Sequence, residues 1–147
     1  MILSSLMACS SAEPSMKRIN ELTKQLGKIE KKQEKTDAAF DKLVEDCARL
    51  DDFLRENNNP KPEMQLLRAY LQQYEDERML IDNDIVYSTS QIKNLKEDFK
   101  SGLYDEAQRD EYLKSEEKVV NRIEAKLDYF LDRFEKQSEF IKSVEKQ

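Results

Sequence analysis

The sequence predicts an all-α fold: an up-down-up antiparallel three-helix coiled-coil bundle of long helices. Three observations lead there. Charged residues make up 38% of the 147 positions and hydrophobic residues another 38%, with only two Gly and three Pro among them. That is the composition of long helices, because a chain of hairpins needs far more turn-formers. Apolar residues recur at alternating steps of three and four, the spacing that lines one face of a helix. Two short clusters of helix breakers divide that pattern into three runs, 16–57, 60–101 and 105–146, each of 42 residues and about 63 Å long if straight.

The first run steps through Ile19, Leu22, Leu26, Ile29, Gln33, Thr36, Phe40, Leu43, Cys47, Leu50 and Leu54. Asn57-Asn58-Asn59-Pro60-Lys61-Pro62 ends it. Asn59 is expected to cap the next helix, with the prolines in its first turn, where N–H groups have no intrahelical partner. The second run is Met64, Leu67, Leu71, Tyr74, Arg78, Ile81, Ile85, Ser88, Ile92, Leu95 and Phe99. Gly102 suits the left-handed residue just past its end, with Leu103 placed for the apolar contact that accompanies such a cap. Asp105 and Gln108 then form a capping box. The third run is Leu113, Glu116, Val120, Ile123, Leu127, Phe130, Phe134, Gln137, Ile141 and Val144.

Equal lengths joined by short connections suit an up-down-up bundle, since a longer helix would leave part of its apolar stripe uncovered. Charge supports the same topology. Residues 16–35 hold seven basic and three acidic side chains, and residues 105–124 hold four basic and seven acidic ones. In an up-down-up bundle those two stretches are neighbours, so basic meets acidic. Such pairs set register more than stability.

The N-terminal residues Leu6-Met7-Ala8-Cys9 close an apolar stretch and precede the small, polar Ser10-Ser11-Ala12-Glu13-Pro14-Ser15. This segment resembles the lipobox of bacterial lipoproteins. The resemblance implies a signal segment over 1–8, cleavage after Ala8, lipidation of the Cys9 thiol, a flexible tether over 9–15, and the helical body over 16–147. It also implies a membrane partner, held through the lipid anchor, and a place in the cell envelope. The apolar run is about eight residues, the short limit of a signal h-region, and no Lys or Arg precedes it, so the signal is expected to start upstream of Met1. With Cys9 lipidated, Cys47 reads as a small buried hydrophobe. A Cys9–Cys47 bridge is the alternative.

The rest of the composition narrows function. The chain has no His, which removes the commonest general base and the usual zinc ligand. Two Gly leave no room for a phosphate-cradling loop, and a net charge of −6 argues against a nucleic-acid partner. No stretch approaches the 18 or so apolar residues of a membrane span. Neither a catalytic residue, a metal ligand, a cofactor nor a small-molecule substrate is expected. The acidic clusters Glu75-Asp76-Glu77, Asp82/Asp84 and Glu116-Glu117 read as solvated faces, because adjacent carboxylates on a helix point apart. The polar seam residues Gln33, Thr36, Arg78, Ser88, Glu116 and Gln137 read as register setters at different heights. The aromatic residues Tyr70, Tyr74, Tyr129, Phe130, Phe134 and Phe140 read as packing, the outer ones as a possible face for a partner helix. The lysines at 24, 28, 31, 32 and 35 suit anionic lipid head groups rather than nucleic acid. The expected function is that of a non-catalytic envelope lipoprotein presenting its bundle as a spacer or protein-docking surface. The alternative is a soluble coiled-coil adaptor or chaperone-like protein that holds a client along its helices.

Overall fold

The computed structural model describes residues 8–146, with side chains from residue 13 onward. The expected signal segment therefore lies outside the described residues apart from the backbone of Ala8. Three helices pack as a bundle: α1 (Ala8–Glu56), α2 (Glu63–Lys100) and α3 (Glu106–Glu145), with no strand among the described residues. The seams are those of the periodicity. Each seam residue named above is buried except Gln33, Arg78 and Glu116, which are half-buried.

The helix ends differ from expectation in two places. Residues 9–15, expected as a tether, are helical backbone, and α1 starts at Ala8 rather than Met16. The buried row extends one step upstream of Ile19 to Ser15, which gives this segment something to pack on. Pro14 sits inside α1, where it is exposed and donates no backbone hydrogen bond. The second difference is that Asn59 caps nothing, because α2 starts four residues later, at Glu63. Pro62 biases Lys61 away from helical geometry, and the helix forms only beyond it. Bonds from Met64 N–H to the Lys61 carbonyl (3.1 Å) and from Gln65 N–H to the Pro62 carbonyl (3.0 Å) tighten its entry.

Both connections leave their helix by the same device. After α1, Asn58 takes φ 51°, its N–H donating to the Arg55 carbonyl (3.2 Å) and that of Asn59 to Leu54 (2.9 Å). After α2, Gly102 takes φ 72°, its N–H donating to Phe99 (3.2 Å) and that of Leu103 to Asp98 (3.1 Å). This pair of bonds around a left-handed residue satisfies the last carbonyls of a helix. Leu103 does not supply the expected apolar contact: it is 61% exposed, and Tyr104 instead meets Phe99 edge-on, at 6.2 Å between ring centroids. The capping box forms as expected, with Gln108 N–H donating to Asp105 Oδ1 (2.8 Å) and Asp105 N–H to Gln108 Oε1 (3.1 Å).

The chain forms two compact units, and every helix contributes to both. The first comprises Met1–Glu30 and Asn83–Glu124, the second Lys31–Asp82 and Ala125–Gln147. In the first, Arg18 pairs with Asp110 and Glu117, and Gln25 with Asn121 and Glu124. Both numbers rise together, so α1 and α3 run parallel. In the second, Asp37 pairs with Tyr74 and Asp51 with Arg68, so α1 and α2 are antiparallel. Lys126–Glu77 with Tyr129–Gln73 shows the same of α2 and α3, while Lys32–Asp128 and Arg49–Glu145 repeat the parallel α1/α3 pairing. The topology is up-down-up.

Candidate functional site

The second unit centres on Tyr74. Seam positions of three helices deliver four rings to one place: Phe40 from α1, Tyr74 from α2, and Phe130 and Phe134 from α3. Tyr74 meets Phe130 at 4.9 Å, Phe40 at 5.3 Å and Phe134 at 5.4 Å between centroids. These are the tilted and edge-on geometries that aromatic quadrupoles favour. The Tyr74 ring is fully buried, and its hydroxyl donates to Asp37 Oδ1 at 2.7 Å. Arg78 Nε lies 3.5 Å from the same oxygen, while its guanidinium covers the Phe40 ring at 5.7 Å. Burial, and then the Asp37 carboxylate, push the Tyr74 phenol well above its ordinary range, so it stays protonated. Asp82 is raised by burial and by Asp37, against the pull of Arg78. Phenol, carboxylate and guanidinium are committed to one another. Chemically, the group fixes the relation of α1 to α2.

Periodicity found Tyr74 and Arg78 but not their common partner. Asp37 lies beside the seam at Thr36, where a carboxylate reads as solvated. Its signal is positional only, an acid flanking the seam on a helix whose neighbour carries Tyr and Arg four residues apart.

Charge dominates the margins of the first unit. Arg18 donates to Glu117 through Nε (2.8 Å) and Nη2 (3.1 Å) and to Asp110 through Nη1 (2.8 Å). The two-pronged geometry is the one guanidinium and carboxylate favour. Glu117 is therefore not the solvated carboxylate its sequence suggests. Lys114, and then Arg18, hold the Asp110 carboxyl below its usual range. Glu116 contrasts with both: burial alone raises its carboxyl, and its Oε2 is buried with no hydrogen-bond partner. Ser88, fully buried, likewise leaves its hydroxyl unpaired.

The remaining candidates are dispersed. Thr36 turns its hydroxyl back to the Lys32 carbonyl (2.7 Å), and Gln137 is buried with Oε1 unpaired. Among the described residues no hydrogen bond or ion pair joins any two of the six polar seam residues, so they form no single site. Around the aromatic surface, Arg133 lies over Tyr129 (5.1 Å) and Tyr70 (5.7 Å). Glu77 pairs with Lys126 at 3.1 Å and Asp76 accepts from Gln72 at 2.8 Å, while Glu75 is exposed, 3.9 Å from Arg78. Among the described residues no group of three or more acidic or sulfur side chains is placed to hold a metal. Lys32 is bound to Asp128 at 2.6 Å, whereas lysines 24, 28, 31 and 35 are exposed. Cys47 is a free, buried thiol whose pKa burial raises. Cys9 falls in the first turn of α1, its side chain outside the described residues.

The surface adds apolar positions that seam reading passes over. Met79 and Leu80 are exposed in the second unit, Val86 and Tyr87 in the first. The first unit also holds a groove of about 450 Å³ between α1 and α2, around Gly27 and Ile92. No helix among the described residues is long and apolar enough to cross a membrane. Comparison with known proteins found no family model, curated protein or solved structure that matches this chain.

Proposed function

We propose that the protein is a non-catalytic bacterial envelope lipoprotein, anchored by a lipid on Cys9, whose helical bundle serves as a protein-docking surface. The observation that carries the docking half is the set of outward apolar side chains on α2. Met79 is 71% exposed and Val86 67%, in a chain whose seams already bury their apolar residues. Apolar side chains left exposed together on a surface mark where a partner gains by excluding water. The anchoring half rests on Leu6-Met7-Ala8-Cys9. With α1 starting at Ala8, a lipid on Cys9 attaches at the head of the helix rather than on a loose leash. A thioether-linked diacylglyceryl group supplies two acyl chains, enough for stable attachment where one chain is marginal.

The test is expression of the full reading frame in a bacterial host, followed by detergent phase partition. The wild-type protein is expected in the detergent phase with its mature N-terminus at a modified Cys9. Cys9→Ser is expected in the aqueous phase with unchanged helix content. A Cys9→Ser protein that partitions as the wild type does, with its N-terminus uncleaved, would leave the soluble adaptor as the standing alternative.

A further inference from the structure

The groove in the first unit is built in a way the fold itself does not require. Gly27, one of only two glycines in the chain, lies in the interior of α1, where glycine weakens a helix relative to alanine. Its backbone needs no glycine, since Gly102 is the glycine with positive φ. Its packing needs none either: a Cβ at residue 27 would meet nothing within 4 Å. The space above Gly27 is left open by this chain.

What surrounds that space is selective. Leu26 and Ile92 form the floor. Thr23 and Thr89 stand on opposite sides, and each spends its hydroxyl on its own helix, donating to the Ile19 carbonyl (2.9 Å) and the Ile85 carbonyl (2.8 Å). Their methyl branches are what remains to line the groove. On the α2 rim stand Lys93 and Lys96, which make no ion pair among the described residues. Exposed Val86 lies seven residues before Lys93, a spacing that keeps it on the same helix face. The α1 rim contributes one acid, Glu30.

The geometry points to this groove as the seat of a partner helix that lays an aliphatic side chain over Gly27 and sets acidic side chains against Lys93 and Lys96. The inference deepens the docking reading and rests on it. Helices approach closest where one of them carries no side chain, and an apolar floor beside two unpaired lysines selects an apolar residue with acids on one flank. A small carboxylate would satisfy the lysines but leave Val86 uncovered. The lone Glu30 on the opposite rim gives the partner a direction, with a basic residue on its α1 side.

The probe is a fluorescent helical peptide of about 18 residues, five turns, with a central Leu, two Glu on one flank and one Lys on the other. Binding to the full chain is followed by anisotropy, and its site by amide shifts in a heteronuclear spectrum. Saturable binding is expected, with the largest shifts at Thr23, Gly27, Thr89, Lys93 and Lys96. Gly27→Leu fills the space with a better helix former, so it should fold at least as stably as wild type. It should bind roughly tenfold more weakly or worse, the loss typical of a central interface position. Lys93→Glu with Lys96→Glu should abolish binding, and a peptide with Lys in place of its two Glu should restore it. Absence of saturable binding to wild type, shifts centred elsewhere, or a Gly27→Leu chain that binds unchanged overturns the assignment. If sedimentation shows wild type self-associating and Gly27→Leu monomeric, the occupant is a second copy and the foreign helix is rejected. Phase partition of Cys9→Ser is independent of all these outcomes, so the anchor and the groove can fail separately.

Discussion

In the second unit three helices meet around four rings, one of which carries a buried hydroxyl matched by a carboxylate, while Gln137 nearby along α3 leaves its Oε1 unpaired. In the first they meet around Ile, Leu and Val, with Phe99 near the turn, and the unmatched polar atoms of Ser88 and Glu116 lie among them. The heptad pattern is the same in both. What differs is how well each layer fixes a single arrangement. A ring has few ways to pack against three others, and Tyr74 adds a directional bond to Asp37. Aliphatic layers tolerate repacking, so the first unit depends more on its margins, where the Arg18 fork ties α1 to α3. A repeating seam specifies that helices associate. Irregular residues beside the seam specify which arrangement they adopt.

The sharpest way to break this contrast is to empty each layer. Phe134→Ala should cost about 3–5 kcal/mol in denaturant unfolding, the usual penalty for removing a packed ring. Ile123→Ala in the first unit should fall toward the lower end of the aliphatic range, about 2 kcal/mol. Equal losses would mean that the rings confer no special order on the second unit.

Next in size is the buried hydroxyl. Tyr74→Phe keeps the ring and removes the bond to Asp37, which should cost about 1.5–3 kcal/mol as for hydrogen bonds to charged groups. Combined with Asp37→Asn, the effect should be clearly less than additive, because both changes break one interaction. Additive losses would show that the two residues contribute separately.

The smallest expected effect has the opposite sign. Burial penalises the charged form of Glu116, a penalty a neutral amide does not carry, so Glu116→Gln should raise Tm at neutral pH by roughly 2–4 °C. Its folded carboxyl titrates above the unfolded one, near 4.3. The wild type therefore keeps the protonated group's advantage below that value and loses it as pH rises through the folded pKa. The gain from Glu116→Gln should be largest at pH 7 and vanish toward pH 4. Asp46 and Asp110 work the other way: Lys42 lowers the first and Lys114 the second, so their contribution is present above the ordinary carboxylate pKa and fades below it. A pH-independent Glu116→Gln difference would contradict the burial account.

Much of this was legible in the sequence. The step of three and four located each helix and nearly every buried residue, because an apolar stripe on a long helix has only one way to leave water. The capping box at Asp105 was legible for a similar reason: both partners lie within four residues. The start of α2 was not, because Pro62 acts on Lys61 before it and so displaces the helix rather than joining it. Nor were Asp37 with Tyr74, or Arg18 with Glu117, since pairing across helices depends on register to within one turn. Gly27 carries no periodic signal, and its meaning appears only when the empty volume beside it is visible.

The Tyr74–Asp37 bond also gives the molecule its own optical gauge. With no Trp in the chain, its ultraviolet emission comes from six Tyr. An excited phenol is a far stronger acid than one at rest, and a carboxylate 2.7 Å away stands ready to take its proton. Tyr74 emission is therefore expected to be quenched while the aromatic layer is intact and to rise when that layer opens, an outcome that fluorescence along a denaturant titration, set against Asp37→Asn, checks. Loss of the second unit's core can be followed by light alone, with no dye, tag or added tryptophan.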